Sequence, residues 1–226
     1  MASRPKTRYA RSGDADIAYQ VLGDGPLDLL FCTGQWVPID CMDEEPAMAR
    51  FIRRLSSFAR LIRFDARGTG LSERGSPDAP PTCEQRVLDI LAVLDAADAH
   101  QPAVLAPFLA TPEGITLAAT RPERLANLVV LNGSARLLWA PDYPAGIPLR
   151  LFDRQVDHFF ETDAVESGFD NVALWAPSLA DDDEFRAWFD RSGNLGATPA
   201  MAVAMIHEVY RTDVRHLLPD VGVPRW

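Results

Sequence analysis

The stretch Val104–Gly114, VLAPFLATPEG, joins an apolar run to a helix-like segment. A chain that leaves a buried strand and enters a helix across so short a link must turn sharply. In such an elbow the central residue is held in a strained backbone conformation. The residues two before and two after it must be small, because the turn presses them together and against the neighbouring helix. Centred on Phe108, the flanks are Ala106 and Ala110, and both are small. Centred on Thr111, they are Leu109 and Glu113, and both are large. The steric pattern selects Phe108, whose ring carries no nucleophilic atom. Thr111 fits only a displaced turn, or an N-cap followed by Pro112 at the first helical position.

The segments on either side fit one architecture. DIAYQVLG (Asp16–Gly23) alternates in polarity, and LDLLFCTG (Leu27–Gly34) reads as a short strand buried on both faces. EEPAMARFIRRLSSFA places Met48, Phe51, Ile52, Leu55 and Phe58 at helical spacing. RLIRFDARG (Arg60–Gly68) is a second β-like run. Thr82 and Gln85 form a capping box before a helix carrying Val87, Ile90, Leu91 and Leu94. AVLAP (Ala103–Pro107), the helix-like EGITLAATRPERL and LANLVVLNG (Leu125–Gly133) continue the alternation. Strands alternating with helices of this length predict an α/β fold with a mostly parallel sheet, whose ligand sites lie at the strands' C-terminal ends. From about Trp139 the pattern turns helical, through LRLFDRQVDHFF, AVESGFDNVALWA, DDDEFRAWFDRSG and PAMAVAMIHEVYR. The expected division is a sheet core over 1–140 and a mostly helical cap over 141–226. The closing DVGVPRW reads as the approach to a further strand.

The 226 residues are 47% hydrophobic, enough for one sizeable core, and the formal net charge is −10. That balance excludes nucleic acid and anionic membrane surfaces as partners, since phosphate binding needs clustered Lys and Arg. The Arg residues are scattered and read as solvated faces. Cys32, Cys41 and Cys83 lack the spacing of a disulfide framework or a zinc site. The polar start has no apolar signal core, so the expected location is the cytoplasm. DDDEF (Asp181–Phe185) lacks the glycine and distal Glu of a calcium loop and reads as an acidic helix N-terminus. No metal or cofactor is expected.

The order of elements resembles the α/β-hydrolase superfamily. DARGTGLS (Asp65–Ser72) is similar to that superfamily's D-x-R-G-x-G-x-S segment after its fourth strand, and CTGQW sits where its oxyanion-hole loop follows the third. More closely, DADIAYQVLGDGP, RLSSFARLIRFDARGTGLS and LNGSARLLWAPDYP resemble the α/β-hydrolase-like N-terminal domain of some bacterial class III nucleotide cyclases, over Thr7–Pro224. The resemblance places the nucleophile at Phe108, the oxyanion loop at Gly34, Gln35 and Trp36 with Leu109 after the elbow, and the acid and histidine beyond Trp226. All three triad positions are then vacant. No cyclase domain is expected within these 226 residues, so cyclisation is not assigned.

The expected function is a non-catalytic relative, either a sensor or interaction module or a remnant of a longer protein. The oxyanion loop could still hold a carboxylate or carbonyl of a small-molecule ligand. The alternative is a hydrolase of small esters or amides that uses Thr111 or Ser134. Ser134 lies at a strand end but reads as a loop or cap serine. His100, His158, His207 and His216 read as structural, with His100 closing a helix. Asp65 and Ser72 are expected to form turn and loop hydrogen bonds. An open sheet edge after LANLVVLNG predicts a homodimer.

Overall fold

The computed structural model describes residues 5–33, 37–158 and 170–222. Six strands form one sheet: β1 (Arg8–Ser12), β2 (Ala15–Leu22), β3 (Leu27–Phe31), β4 (Ala59–Phe64), β5 (Ala103–Pro107) and β6 (Asn127–Leu131). Their spatial order is β1-β2-β4-β3-β5-β6. β3, β4, β5 and β6 pair in parallel, while β2 pairs antiparallel with both β1 and β4. The parallel pairs follow from the helices between them, α1 (Pro46–Ser56), α2 (Cys83–Ala96) and α3 (Thr111–Thr120), because a parallel neighbour requires a crossover. β1 is a strand that sequence reading did not anticipate.

Alternation along each strand sends side chains to two separate cores. Leu30, Ile62 and Val104 face α2 and α3, together with Ile17, Ile90, Leu94 and Leu117. Leu29, Phe31 and Leu61 face α1, together with Ile39 and Ile52. Phe51 and Phe58, expected on the apolar stripe of α1, are 38% and 48% exposed. Phe58 lies beyond the end of that helix, and Phe51 sits at the rim against Phe31, edge to face at 5.7 Å.

The expectation that the arginines are solvated is corrected. The Arg63 side chain is fully buried, held by Gln20 Oε1 at 2.9 Å and by Asp43 Oδ2 at 2.5 Å. Arg86 is also buried and pairs with Glu113. Arg60 makes a two-point contact with Asp28, at 2.6 and 2.9 Å. These side chains lie where their stems pass through packed layers, so each must bring a partner with it.

Past β6 the chain supplies α4 (Leu149–His158), α5 (Asn171–Trp175), α6 (Asp183–Gly196) and α7 (Pro199–Arg211). Leu138, Phe152, Val156, Ile206, Val209 and Tyr210 form a third core that covers Leu109. DDDEF behaves as a helix N-terminus: the Asp182 carboxylate accepts from the amides of Glu184 and Phe185. The first part of AVESGFDNVALWA and the end of DVGVPRW lie outside the described residues. Val221, just before that end, packs into the core beside α3.

Candidate functional site

β4 lies on one side of β3 and β5 on the other, so the connections diverge between the C-terminal ends of β3 and β5. That divergence is where open α/β sheets place ligands. The elbow stands there. Phe108 has φ +46°, the left-handed region that costs a residue with a Cβ of order 1–3 kcal/mol. It opens a single 3₁₀ turn, Phe108–Ala110, that leads directly into α3. Ala106 and Ala110 are both buried. A Cβ on Gly114 would lie 2.8 Å from Ala106 Cβ and 2.9 Å from Leu128 Cδ1, so small residues at 106 and 114 are what let α3 close on the sheet.

Thr111 is not the N-cap of α3. That position belongs to Ala110, which has no capping side chain. The Thr111 hydroxyl instead turns inward and donates to Ala106 O at 3.2 Å. Thr111 is 1% exposed, and Gly133 closes over it so tightly that a Cβ there would lie 1.7 Å from Thr111 Oγ1. An attacking oxygen needs access and a base within hydrogen-bond reach; Thr111 is buried, and its hydroxyl is engaged by a backbone carbonyl. Ser134 lies in the loop after β6 and caps no helix. Among the described residues, neither Thr111 nor Ser134 hydrogen-bonds to a histidine. His100 lies four residues past the end of α2, not at its close, and sits 3.4 Å from Asp98 in solvent. His207 packs edge to face on Phe152 with ring centroids 5.0 Å apart, and His216 is exposed. The His158 side chain lies outside the described residues. So do Gly34, Gln35 and Trp36, the expected oxyanion loop. Leu109 is buried beneath the cap.

The DARGTGLS segment works as a brace. The two oxygens of Asp65 accept from Ile39 N at 2.8 Å and Leu71 N at 2.9 Å, fixing the loop before α1. Ser72 Oγ donates to Asp65 O at 2.6 Å and accepts from Ala18 N at 2.9 Å. Gly70 has φ +50°, and a Cβ there would sit 2.2 Å from Asp65 Oδ2, so only glycine fits. Gly70 N also donates to Gly196 O at 2.7 Å, which ties the brace to the cap. Burial pushes the Asp65 carboxyl up to about 6, against the two amide hydrogen bonds that favour its charged form.

Two cavities flank this region. One, about 360 Å³, opens between α1 and the α5–α6 part of the cap, against Met48, Phe51, Val172, Phe185, Trp188 and Phe189. Its polar neighbours are largely committed. The Glu45 carboxylate caps α1 through Ala47 N and Met48 N, and the Trp188 indole N–H donates to Cys41 O at 3.0 Å. The second, about 30 Å³, lies behind the elbow between α2 and α3. Sequence reading missed the Arg86–Glu113 pair that lines it. The available signal was Glu113 itself, a charge in a helix whose residues 111–118 are otherwise small or apolar. Among the described residues, no cluster of three or more His, Cys, Asp or Glu could hold a metal, and no helix is long and apolar enough to cross a membrane.

No protein-family model matches the chain. Among curated sequences it is 32% identical over 133 residues to "Putative carbamate hydrolase RutD" of Azorhizobium caulinodans, covering 57% of this chain and 45% of that protein. It is 25% identical over 173 residues to "Karrikin insensitive 2 receptor CA" of Petunia hybrida, covering 73% of this chain and 61% of that protein. The chain thus spans less than two thirds of the length of either relative. Among solved structures, an enol-lactonase from Burkholderia xenovorans superposes with TM-score 0.75 at 20% identity, covering 96% of this chain and 79% of that one. An esterase from Exiguobacterium antarcticum superposes with TM-score 0.77 at 17% identity, covering 97% and 79%. The chain has the α/β-hydrolase fold.

Proposed function

We propose that this protein uses the α/β-hydrolase fold to bind a small molecule without hydrolysing it. One observation carries the reading: the elbow keeps its left-handed backbone and small flanks but holds Phe108 where the fold presents a nucleophile. A fold does not by itself confer an activity, and here the reacting atom is missing from the position that shapes it. The aromatic-walled cavity between α1 and the cap supports an apolar ligand, since about 360 Å³ lies in the range of small-molecule sites. The finer likeness to cyclase-associated domains, which would make the chain a sensor module or a remnant of a longer protein, rests on the quoted stretches alone. The three cysteines are free and buried, which fits the cytoplasm.

A second reading is favoured by the relatives' names. A carbamate hydrolase and, at 28% identity over 173 residues, "Probable esterase D14L" of rice support hydrolysis of small esters or amides. The comparisons speak more directly for that class of activity than for its loss. Treatment of the purified protein with a serine-directed fluorophosphonate, followed by intact-mass analysis and an assay on p-nitrophenyl acetate, separates the two. The binding reading expects an unchanged mass and no saturable turnover. Labelling at Ser134 or Thr111, abolished by the Ala variant together with turnover, would establish the hydrolase. Trace unsaturable rates decide nothing, because a hydrolase stripped of its triad retains roughly 10³–10⁴-fold acceleration.

A further inference from the structure

We propose that the small cavity behind the elbow is a binding site for a neutral molecule of a few atoms that both donates and accepts hydrogen bonds. The observation is a pair of orphaned atoms of opposite charge. Arg86 Nη2 and Glu113 Oε2 are buried and have no hydrogen-bond partner. The residues that carry them are 4% and 5% exposed, and both line the same cavity. Their other polar atoms are engaged: Arg86 Nε donates to Glu113 Oε1, and Arg86 Nη1 donates to Pro81 O at 2.5 Å. A buried charged group with an unsatisfied atom costs more than a neutral one, so two such atoms on a contacting pair that lines one cavity call for a shared partner.

The walls define that partner. Arg86 Nη2 requires an acceptor and Glu113 Oε2 requires a donor. Charge selects neutrality. Arg86 is balanced by Glu113, and Arg67 by Asp89 through bonds of 2.7 and 3.1 Å. Burial, and then Glu113, push the Cys32 thiol upward, so that wall carries no thiolate. An anion would face Glu113, and a cation would face Arg86. The cavity, about 30 Å³, exceeds the roughly 10–15 Å³ that a single water needs, so it has room for water or for a small amide such as formamide. Entry is past Ala66 and Arg67, lining residues that are incompletely buried. This site shares no lining residue with the apolar cavity, and it stands whether or not the elbow is catalytic. An occupant would join α2 to the first turn of α3, where Ala110 forms part of the wall.

The test is a high-resolution crystal structure, before and after a formamide soak, paired with water–amide NOE spectra of the protein in solution. A rounded density peak within hydrogen-bond reach of both orphan atoms, with a long-lived water contact at the Ala110 amide, is the expected result. Replacement by flat three-atom density after the soak identifies the site as amide-accepting. Unchanged density identifies it as a water site. The double variant Arg86→Met/Glu113→Leu removes both charges at similar volume, so it should fold, as read by circular dichroism, and lose the contact. An empty cavity, or protein groups bonded to both orphan atoms, overturns the proposal. So does a water contact that survives in the double variant.

Discussion

Phe108 illustrates how a sharp strand-to-helix turn can hold a bulky residue in the left-handed region. Around it, Ala106 and Ala110 are buried, and Gly114 lets the following helix close on Ala106. Gly114→Ala would place a methyl group against two side chains at under 3 Å, and overpacking of that kind costs about 1–3 kcal/mol. The variant should lower the urea midpoint by that energy divided by the slope m, with m itself unchanged. Asp65 makes a second residue-scale prediction, in the opposite sense from most carboxylates. Its folded pKa, about 6, lies above the ordinary 3.8 because burial opposes the charge. The folded state therefore holds the proton more tightly than the unfolded chain. The contribution is fully present below pH 4, is lost as pH rises to about 6, and amounts to about 3 kcal/mol. Asp65→Asn cannot ionise, so stability measured by denaturation at pH 4, 5, 6 and 7 should lose this downward component. A variant that keeps the full slope would assign it to another group.

Among the elements, the capping box of α2 was legible in the sequence and is present as read. Gln85 N donates to Thr82 Oγ1 at 3.3 Å, and Thr82 N donates to Gln85 Oε1 at 2.9 Å. Thr82→Ala should cost about 1 kcal/mol in chemical denaturation, with Thr82→Ser recovering most of it. β5 was readable to its last residue because an apolar run between Gln101–Pro102 and a turn has few alternatives. β1 was not, because RYARS has no apolar run. It is a strand only because β2 offers it an antiparallel edge from Tyr19 to Ala15. The start of α3 was misassigned for a related reason. Thr111 followed by Pro112 has the local pattern of a cap, but the acceptor that takes its hydroxyl is the carbonyl of Ala106, inside the elbow. The elbow itself was legible from two alanines, since its requirement is local and steric. The Arg86–Glu113 pair was not, since the two are 27 residues apart, and the place of Glu113 in an otherwise small or apolar helix does not point to its partner.

At the scale of the whole molecule, the sheet's two edges differ. β1 presents Arg8, Tyr9 and Arg11 outward, charged side chains of the kind that discourage further pairing. β6 has β5 as its single strand neighbour among the described residues, and its sequence, NLVVL, contains no charge and no proline. Val129 and Val130 are half-buried, and Leu131 is 51% exposed. An edge with these properties invites another strand, and a second copy can supply it about a two-fold axis, β6 against β6 in antiparallel register. The net charge of −10 opposes such pairing through a repulsion that salt screens over about 10 Å at 0.1 M. Light scattering coupled to size exclusion should therefore find twice the 24.9 kDa chain mass, with a dimer that strengthens as salt rises from 0.05 to 0.5 M. Leu131→Lys puts a charge on an already exposed edge position, so it should yield a folded monomer of unchanged thermal stability. A wild-type chain that stays monomeric and soluble at both salt concentrations would show that the β6 edge is protected from self-pairing.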